Sequence, residues 1–166
     1  MYKTRPIISL LFFAIILWGC GKGNHTVKPK TVDSTFSDTT FSNWEILGKD
    51  YPATATYFTF NQVPGTVYFV ADDGLATNPA QEIIVWFNKR PTVNGVYHVR
   101  AYENIPTDTT CTIAVYYNSG SNAFTSGNSG IVKVTVSKGK VTAYFSNVNV
   151  GGTNLKTNVS GYLIEQ

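Results

Sequence analysis

Cysteine, histidine and methionine are nearly missing from this chain. Its 166 residues hold two cysteines, Cys20 and Cys111, two histidines, His25 and His98, and the single methionine Met1. At most one disulfide, Cys20–Cys111, is therefore open to it. A His-rich metal site or a Ser-His-Asp triad would have to be built on His98, because His25 falls in a polar segment near the N-terminus. The nearest carboxylate to His98 in sequence is Glu103, and a solvent-facing histidine on a strand is the plainer reading. No window carries a convincing helical period. The one continuous apolar run, residues 7–18, spans about twelve residues, against the roughly twenty that a membrane helix needs. Charge of one sign is also scarce. The chain has 13 basic and 10 acidic residues. Lys3 and Arg5 precede Cys20, so a chain beginning at Cys20 keeps 11 and 10 and is almost neutral. Without a basic stripe, a nucleic-acid partner has no electrostatic support.

What is there begins with an address. Lys3 and Arg5 precede the short apolar run, and the small residue Gly19 precedes Cys20. That order describes a signal peptide over residues 1–19. With Leu17 three positions before Cys20, the stretch Leu17-Trp18-Gly19-Cys20 resembles a bacterial lipobox, although Trp18 stands where a smaller residue is usual. The resemblance implies that Cys20 is acylated and becomes the first residue of the mature chain. Two or more acyl chains give stable membrane anchoring. Gly21 rather than Asp follows the cysteine, which points to the outer membrane and leaves the leaflet open. Acylation of Cys20 would leave Cys111 alone, in an apolar-alternating run where it reads as a small buried hydrophobe. The disulfide stays open only if lipidation fails.

Residues 20–43 read as the acylated cysteine and a flexible linker rich in Thr, Ser, Lys and Asp. Such a composition cannot bury enough apolar surface to offset its ordering entropy. The 23 residues 21–43 would reach roughly 75 Å when stretched and about 25–30 Å as a coil. Phe36 and Phe41 are expected to clip the end of this linker onto the domain.

Residues 44–166 form one expected domain. Short runs of Val, Ile, Tyr, Phe, Trp and Thr recur there, separated by Gly, Asn, Pro and Asp. They predict about nine strands, near 44–47, 54–60, 66–71, 82–87, 96–102, 110–117, 131–137, 140–148 and 157–164. The expected fold is an all-β antiparallel sandwich, the alternative being a small closed barrel of lipocalin type. Lys138-Gly139 predicts a tight hairpin with Gly139 at positive φ, and Asn94-Gly95 carries a similar turn signal. Residues 118–130, rich in Ser, Gly and Asn, read as a loop with Phe124 near its middle. Residues 67–70 and 83–87 are apolar on both faces, which predicts strands with a cover over their second face.

From Pro91 onward the chain shows Gly95-Val96-Tyr97-His98-Val99, a Ser/Gly loop, Gly130-Ile131-Val132-Lys133-Val134, then Gly139-Lys140-Val141-Thr142 leading to Phe145. With the lipobox, this run resembles a broad group of small, uncharacterised β-rich lipoproteins of Gram-negative envelopes. The resemblance covers about two fifths of the chain and implies a β-sandwich-like domain. It brings no catalytic residues with it.

The acids Asp72, Asp73, Glu82, Glu103 and Asp108 fall mostly in expected loops or at strand ends. Two-carboxylate glycosidase chemistry would need a pair about 5–9 Å apart on facing strands. Asp72-Asp73 lacks the alternating acid spacing of a calcium loop and reads as a solvated turn. No catalytic residue, metal or cofactor is assigned. The remaining signal is aromatic. Alternation turns Trp86, Tyr116, Tyr144 and Tyr162 away from the core, and exposed flat rings suit sugars. Ordinary cross-strand pairing is the plainer reading of such rings. Three triplets, Asp33-Ser34-Thr35, Asp38-Thr39-Thr40 and Asp108-Thr109-Thr110, resemble the acceptor used for O-glycosylation in some Gram-negative envelopes, with Ser34, Thr39 and Thr109 as acceptors. Together these features predict a lipid-anchored envelope protein with a non-enzymatic binding or structural role, its partner a carbohydrate or an envelope protein. The alternatives are a carbohydrate-binding module using the four rings and a small barrel enclosing an apolar ligand.

Overall fold

The computed structural model describes residues 41–74, 81–117 and 122–166. The chain divides into two units, 1–34 and 35–166, and every described residue belongs to the second. The signal peptide, Cys20, most of the linker, Ser34 and Thr39 lie outside the described residues.

Those residues form eleven strands and no helix: β1 (Ser42–Ile46), β2 (Lys49–Ala53), β3 (Ala55–Phe60), β4 (Val67–Asp72), β5 (Gln81–Phe87), β6 (Gly95–Val99), β7 (Thr110–Tyr117), β8 (Asn122–Ser126), β9 (Ile131–Ser137), β10 (Lys140–Gly151) and β11 (Lys156–Ile164). The fold is all-β, as the recurring β-branched and aromatic runs predict. All eleven strands join one sheet in the order β2-β1-β11-β10-β9-β6-β7-β5-β4-β3, with β8 set between β7 and β10. Two strands exceed the expected nine. One is β2, whose Tyr51 stacks on Trp44 of β1 with ring centroids 4.3 Å apart. The other is β8, inside the stretch read as a loop.

The pairing is antiparallel except between β6 and β7, which run parallel through His98–Thr110 and Val99–Cys111. An all-antiparallel arrangement is corrected at this point. The expected strand 96–102 is also corrected, because β6 ends at Val99. The chain then makes a ten-residue excursion, 100–109, and returns beside its starting point. Bonds from His98 N to Thr109 O and from Arg100 N to Cys111 O, both 2.9 Å, hold its ends in register.

One face of the sheet is a continuous core. Trp44, Phe69, Phe87 and Phe145 are at most 1% exposed, and Ile83, Ile113, Val132, Val141 and Leu163 are fully buried among them. Cys111 is a free thiol within this core, and burial raises its pKa, as befits a small hydrophobe. The β9–β10 hairpin turns at Lys138 and Gly139, with φ of 52° and 78°. Positive φ at both central residues matches the right-handed strand twist. Phe41 is 63% exposed and is not the buried clip that the sequence suggests, and Phe36 lies outside the described residues.

The two ends of the sheet order meet. β2 and β3 lie at opposite ends of it, yet only Thr54 separates them in sequence. A side-chain bond links β3 to β1: Thr56 Oγ1 donates to Ser42 Oγ at 2.6 Å, and that same oxygen accepts Ile164 N–H of β11 at 2.8 Å. One backbone bond, Gln166 N to Thr56 O at 3.0 Å, ties the residues after β11 to β3.

Candidate functional site

Strands β7, β5 and β4 are consecutive in the sheet order, each has a strand on both sides, and they are apolar on both faces. Their outer face has three cross-strand rows: Tyr68–Trp86–Thr112, Val70–Ile84–Ala114 and Asp72–Glu82–Tyr116. The middle row is a second hydrophobic cluster, and Tyr68, Tyr102 and Tyr116 pack against it. The expected cover over this second face therefore includes Tyr102, carried in from the 100–109 excursion. Its ring lies edge-on to Trp86 at 5.9 Å, and Tyr68 meets Trp86 edge-on at 6.0 Å. Trp86 is left 6% exposed, a floor beneath half-buried tyrosines.

The chemistry of the patch is phenolic and acidic. Burial, then hydrogen bonding to Tyr68, raises the Tyr102 phenol far above its ordinary range, with the Tyr116 hydroxyl adding to the effect. Trp86 Nε1 and Thr112 Oγ1, neighbours across β5 and β7, are buried without a hydrogen-bond partner. Such groups are costly to leave unpaired. At the far end Asp72 is 5% exposed. Its Oδ1 accepts Gly74 N–H at 2.7 Å and its Oδ2 accepts the Tyr57 hydroxyl at 3.2 Å. The reading of Asp72 as part of a solvated turn is corrected: it closes β4 as a buried, hydrogen-bonded carboxylate. Glu82 lies directly across from it. Burial, and then the charges of Asp72 and Asp73, push the Glu82 carboxyl above the usual range. The same burial and the Asp72 charge raise the Tyr57 phenol.

Beside the patch, the excursion forms a cleft of about 520 Å³ lined by Arg100, Asn104, Ile105, Thr107, Thr109, Thr110 and Asn128. That volume is within the range of small-ligand sites. Thr110 and Thr112 share the outer face of β7, so the cleft adjoins the Trp86 end of the patch.

The four rings singled out from sequence occupy two places. Trp86 and Tyr116 belong to the outer face of β5 and β7, two rows apart. Tyr144 and Tyr162 lie directly opposite each other on β10 and β11, with β9 and β6 between the two pairs in the sheet order. Thr109 is exposed just before β7, on the cleft wall. His98 is exposed on β6. Among the described residues no group of three His, Cys, Asp or Glu side chains is placed to hold a metal ion. Tyr68, Tyr102, Arg100 and Thr112 escaped sequence reasoning. Tyr68 had a signal, since it alternates with Val67 and Phe69 in a doubly apolar run. Tyr102 read as the end of a strand. No protein family, no curated protein and no solved structure matches the chain.

Proposed function

We propose that the chain is a lipid-anchored envelope protein whose β domain binds carbohydrate without turning it over. The observation that carries this reading is the aromatic patch on an outer sheet face, where Tyr68 and Tyr102 pack on Trp86 and Tyr116 joins them over the Val70, Ile84 and Ala114 cluster. Sugar C–H faces stack on such rings while phenol hydroxyls and amide groups at the rim take the sugar hydroxyls. The core side favours a surface ligand over an enclosed one, because Trp44, Phe69, Phe87 and Phe145 fill it. A non-catalytic role accords with Asp72, whose two oxygens are both held by hydrogen bonds within the protein. The address rests on Leu17-Gly19-Cys20 after a short apolar run.

Affinity electrophoresis of the full mature chain, in detergent, through gels containing neutral and acidic polysaccharides tests the binding. At least one polymer should retard the protein, and Tyr68→Ala, Tyr102→Ala or Tyr116→Ala should weaken retention about tenfold or more. Far-UV circular dichroism and melting would establish that the variants are folded. Unchanged mobility on every polymer would sink the proposal.

A further inference from the structure

The 100–109 excursion is held firmly. Tyr102 N donates to Ser126 O at 3.0 Å, Ser126 Oγ donates to Arg100 O at 2.7 Å, and Ala101 N donates to Asn128 Oδ1 at 3.0 Å. A site built on such a segment needs little ordering on binding. Arg100 is the one charged side chain lining the cleft, and it makes no ion pair with a described residue. Among the described residues no carboxylate lines the cleft. Asp108, next to Thr109, is engaged by Lys89 at 3.2 Å and by Asn88 at 2.8 Å. The other lining groups are mostly hydroxyls and amides. Asn128 has its oxygen committed to Ala101, which leaves its NH₂ to donate.

We propose that this cleft is the acidic-group subsite of the glycan site. The Arg100 guanidinium takes one monovalent acidic substituent of the glycan, a uronate carboxylate or a sulfate ester, while the adjoining sugar lies against Tyr102. The inference rests on the glycan reading above and adds the class of glycan. A planar guanidinium offers two parallel N–H bonds to such a group, and a single cation with no ion-pair partner among the described residues matches a single negative charge. Continuity with the aromatic patch comes from the sheet itself. Tyr102 follows Arg100 by two residues and packs on Trp86. Thr110, on the cleft wall, and Thr112, across from Trp86, share one face of β7.

The test runs the full mature chain, in detergent, through gels of polygalacturonate, dextran sulfate and neutral galactan at one ionic strength. At least one acidic polymer should retain the protein about tenfold more strongly than galactan. Arg100→Gln should remove that excess and leave galactan retention unchanged, and Arg100→Lys should restore part of it. Lys133→Gln removes the same charge from β9, outside the cleft, and should change nothing. The inference is overturned if Arg100→Gln keeps the excess, or if Lys133→Gln loses as much, which would mark diffuse attraction. Equal retention on all three polymers, lost in Tyr102→Ala and kept in Arg100→Gln, would overturn the acidic subsite and leave the glycan reading standing. No retention on any polymer would remove both.

Discussion

Phe145 on β10 lies directly across from Gly161 on β11, and its ring fills the space that a side chain at Gly161 would need. A Cβ built on Gly161 would collide with Phe145 Cζ and sit 3.0 and 3.1 Å from its two Cε atoms. The glycine is required by this close approach; its backbone is not in the left-handed region. Gly161→Ala should therefore cost about 1–3 kcal/mol through overpacking. Phe145→Ala should cost about 3–5 kcal/mol. In the double variant the added methyl occupies part of the cavity, so the two losses should sum to more than the measured one. Lys133→Ala, on the exposed face of β9, should stay within about 0.5 kcal/mol. Chemical denaturation of the four proteins checks all of this, and strict additivity of the first two would contradict the packing described.

Glu82 gives stability a pH dependence. Burial and the neighbouring charges of Asp72 and Asp73 raise its carboxyl in the folded state. Above the ordinary carboxylate value the folded protein holds this proton more tightly than the unfolded chain does. The favourable contribution is complete below that value, about pH 4, and is lost as pH rises through the raised one. Glu82→Gln keeps the shape and removes the charge. It should raise the melting temperature by a few degrees at about pH 7–8 and leave it near wild type at about pH 4. A gain of the same size at both pH values would mean that charge is not the cause.

The C-terminus is stapled by one ion pair. Arg90 Nη2 meets the two Glu165 oxygens at 2.8 and 2.6 Å and donates to Gly139 O at 2.7 Å, with its guanidinium 5.3 Å from the centre of the Phe58 ring. Glu165 Oε2 also accepts Val141 N–H at 2.8 Å. Glu165→Ala removes several of these bonds and should cost about 1–2 kcal/mol, discounted for the 38% exposure of the arginine side chain. Melting in 1 M salt should show a smaller difference from wild type than melting in dilute buffer.

The anchor is tested by fractionation. Cys20→Ala should move the protein from the membrane to the soluble fraction of its host. A variant that stays membrane-bound at the wild-type level would refute the lipobox reading.

The legible part of this fold is its hydrophobic alternation. β7 and β9 have the bounds that their sequences predict. Val134 and Phe145 point into the core, and Lys133 points out. β2 was hidden because Pro52 argues against a strand. It is tolerated because β2 ends the sheet order and needs ladder partners on one side only. The turn before it places Leu47 at φ 55°, where a leucine carries no turn signal. β8 was hidden by Ser, Gly and Asn, yet Phe124, 5% exposed, was its one visible mark. In β10 the buried positions pass from Val141, Ala143 and Phe145 to Val148 and Val150, and a bulge at Asn147, φ 52°, makes the change of phase. The candidate site was half legible. Alternation turned Trp86 and Tyr116 outward. Their union with Tyr68 and Tyr102, and the facing of Asp72 by Glu82, depend on strand register and on a parallel splice that no local pattern announces.

The seam at Ser42 also sets a timetable. β1 pairs with β11, so Asn43 must find Tyr162 and Ile46 must find Val159. A chain made from its N-terminus has its first strand long before the strand that completes it. Until residue 164 has emerged, the β1–β2 hairpin has no sheet to join, and two strands alone are marginal in water. Pairing over such a separation is slow by its nature. The first hairpin of the described residues is therefore joined to the sheet only after the strand that receives it has been made.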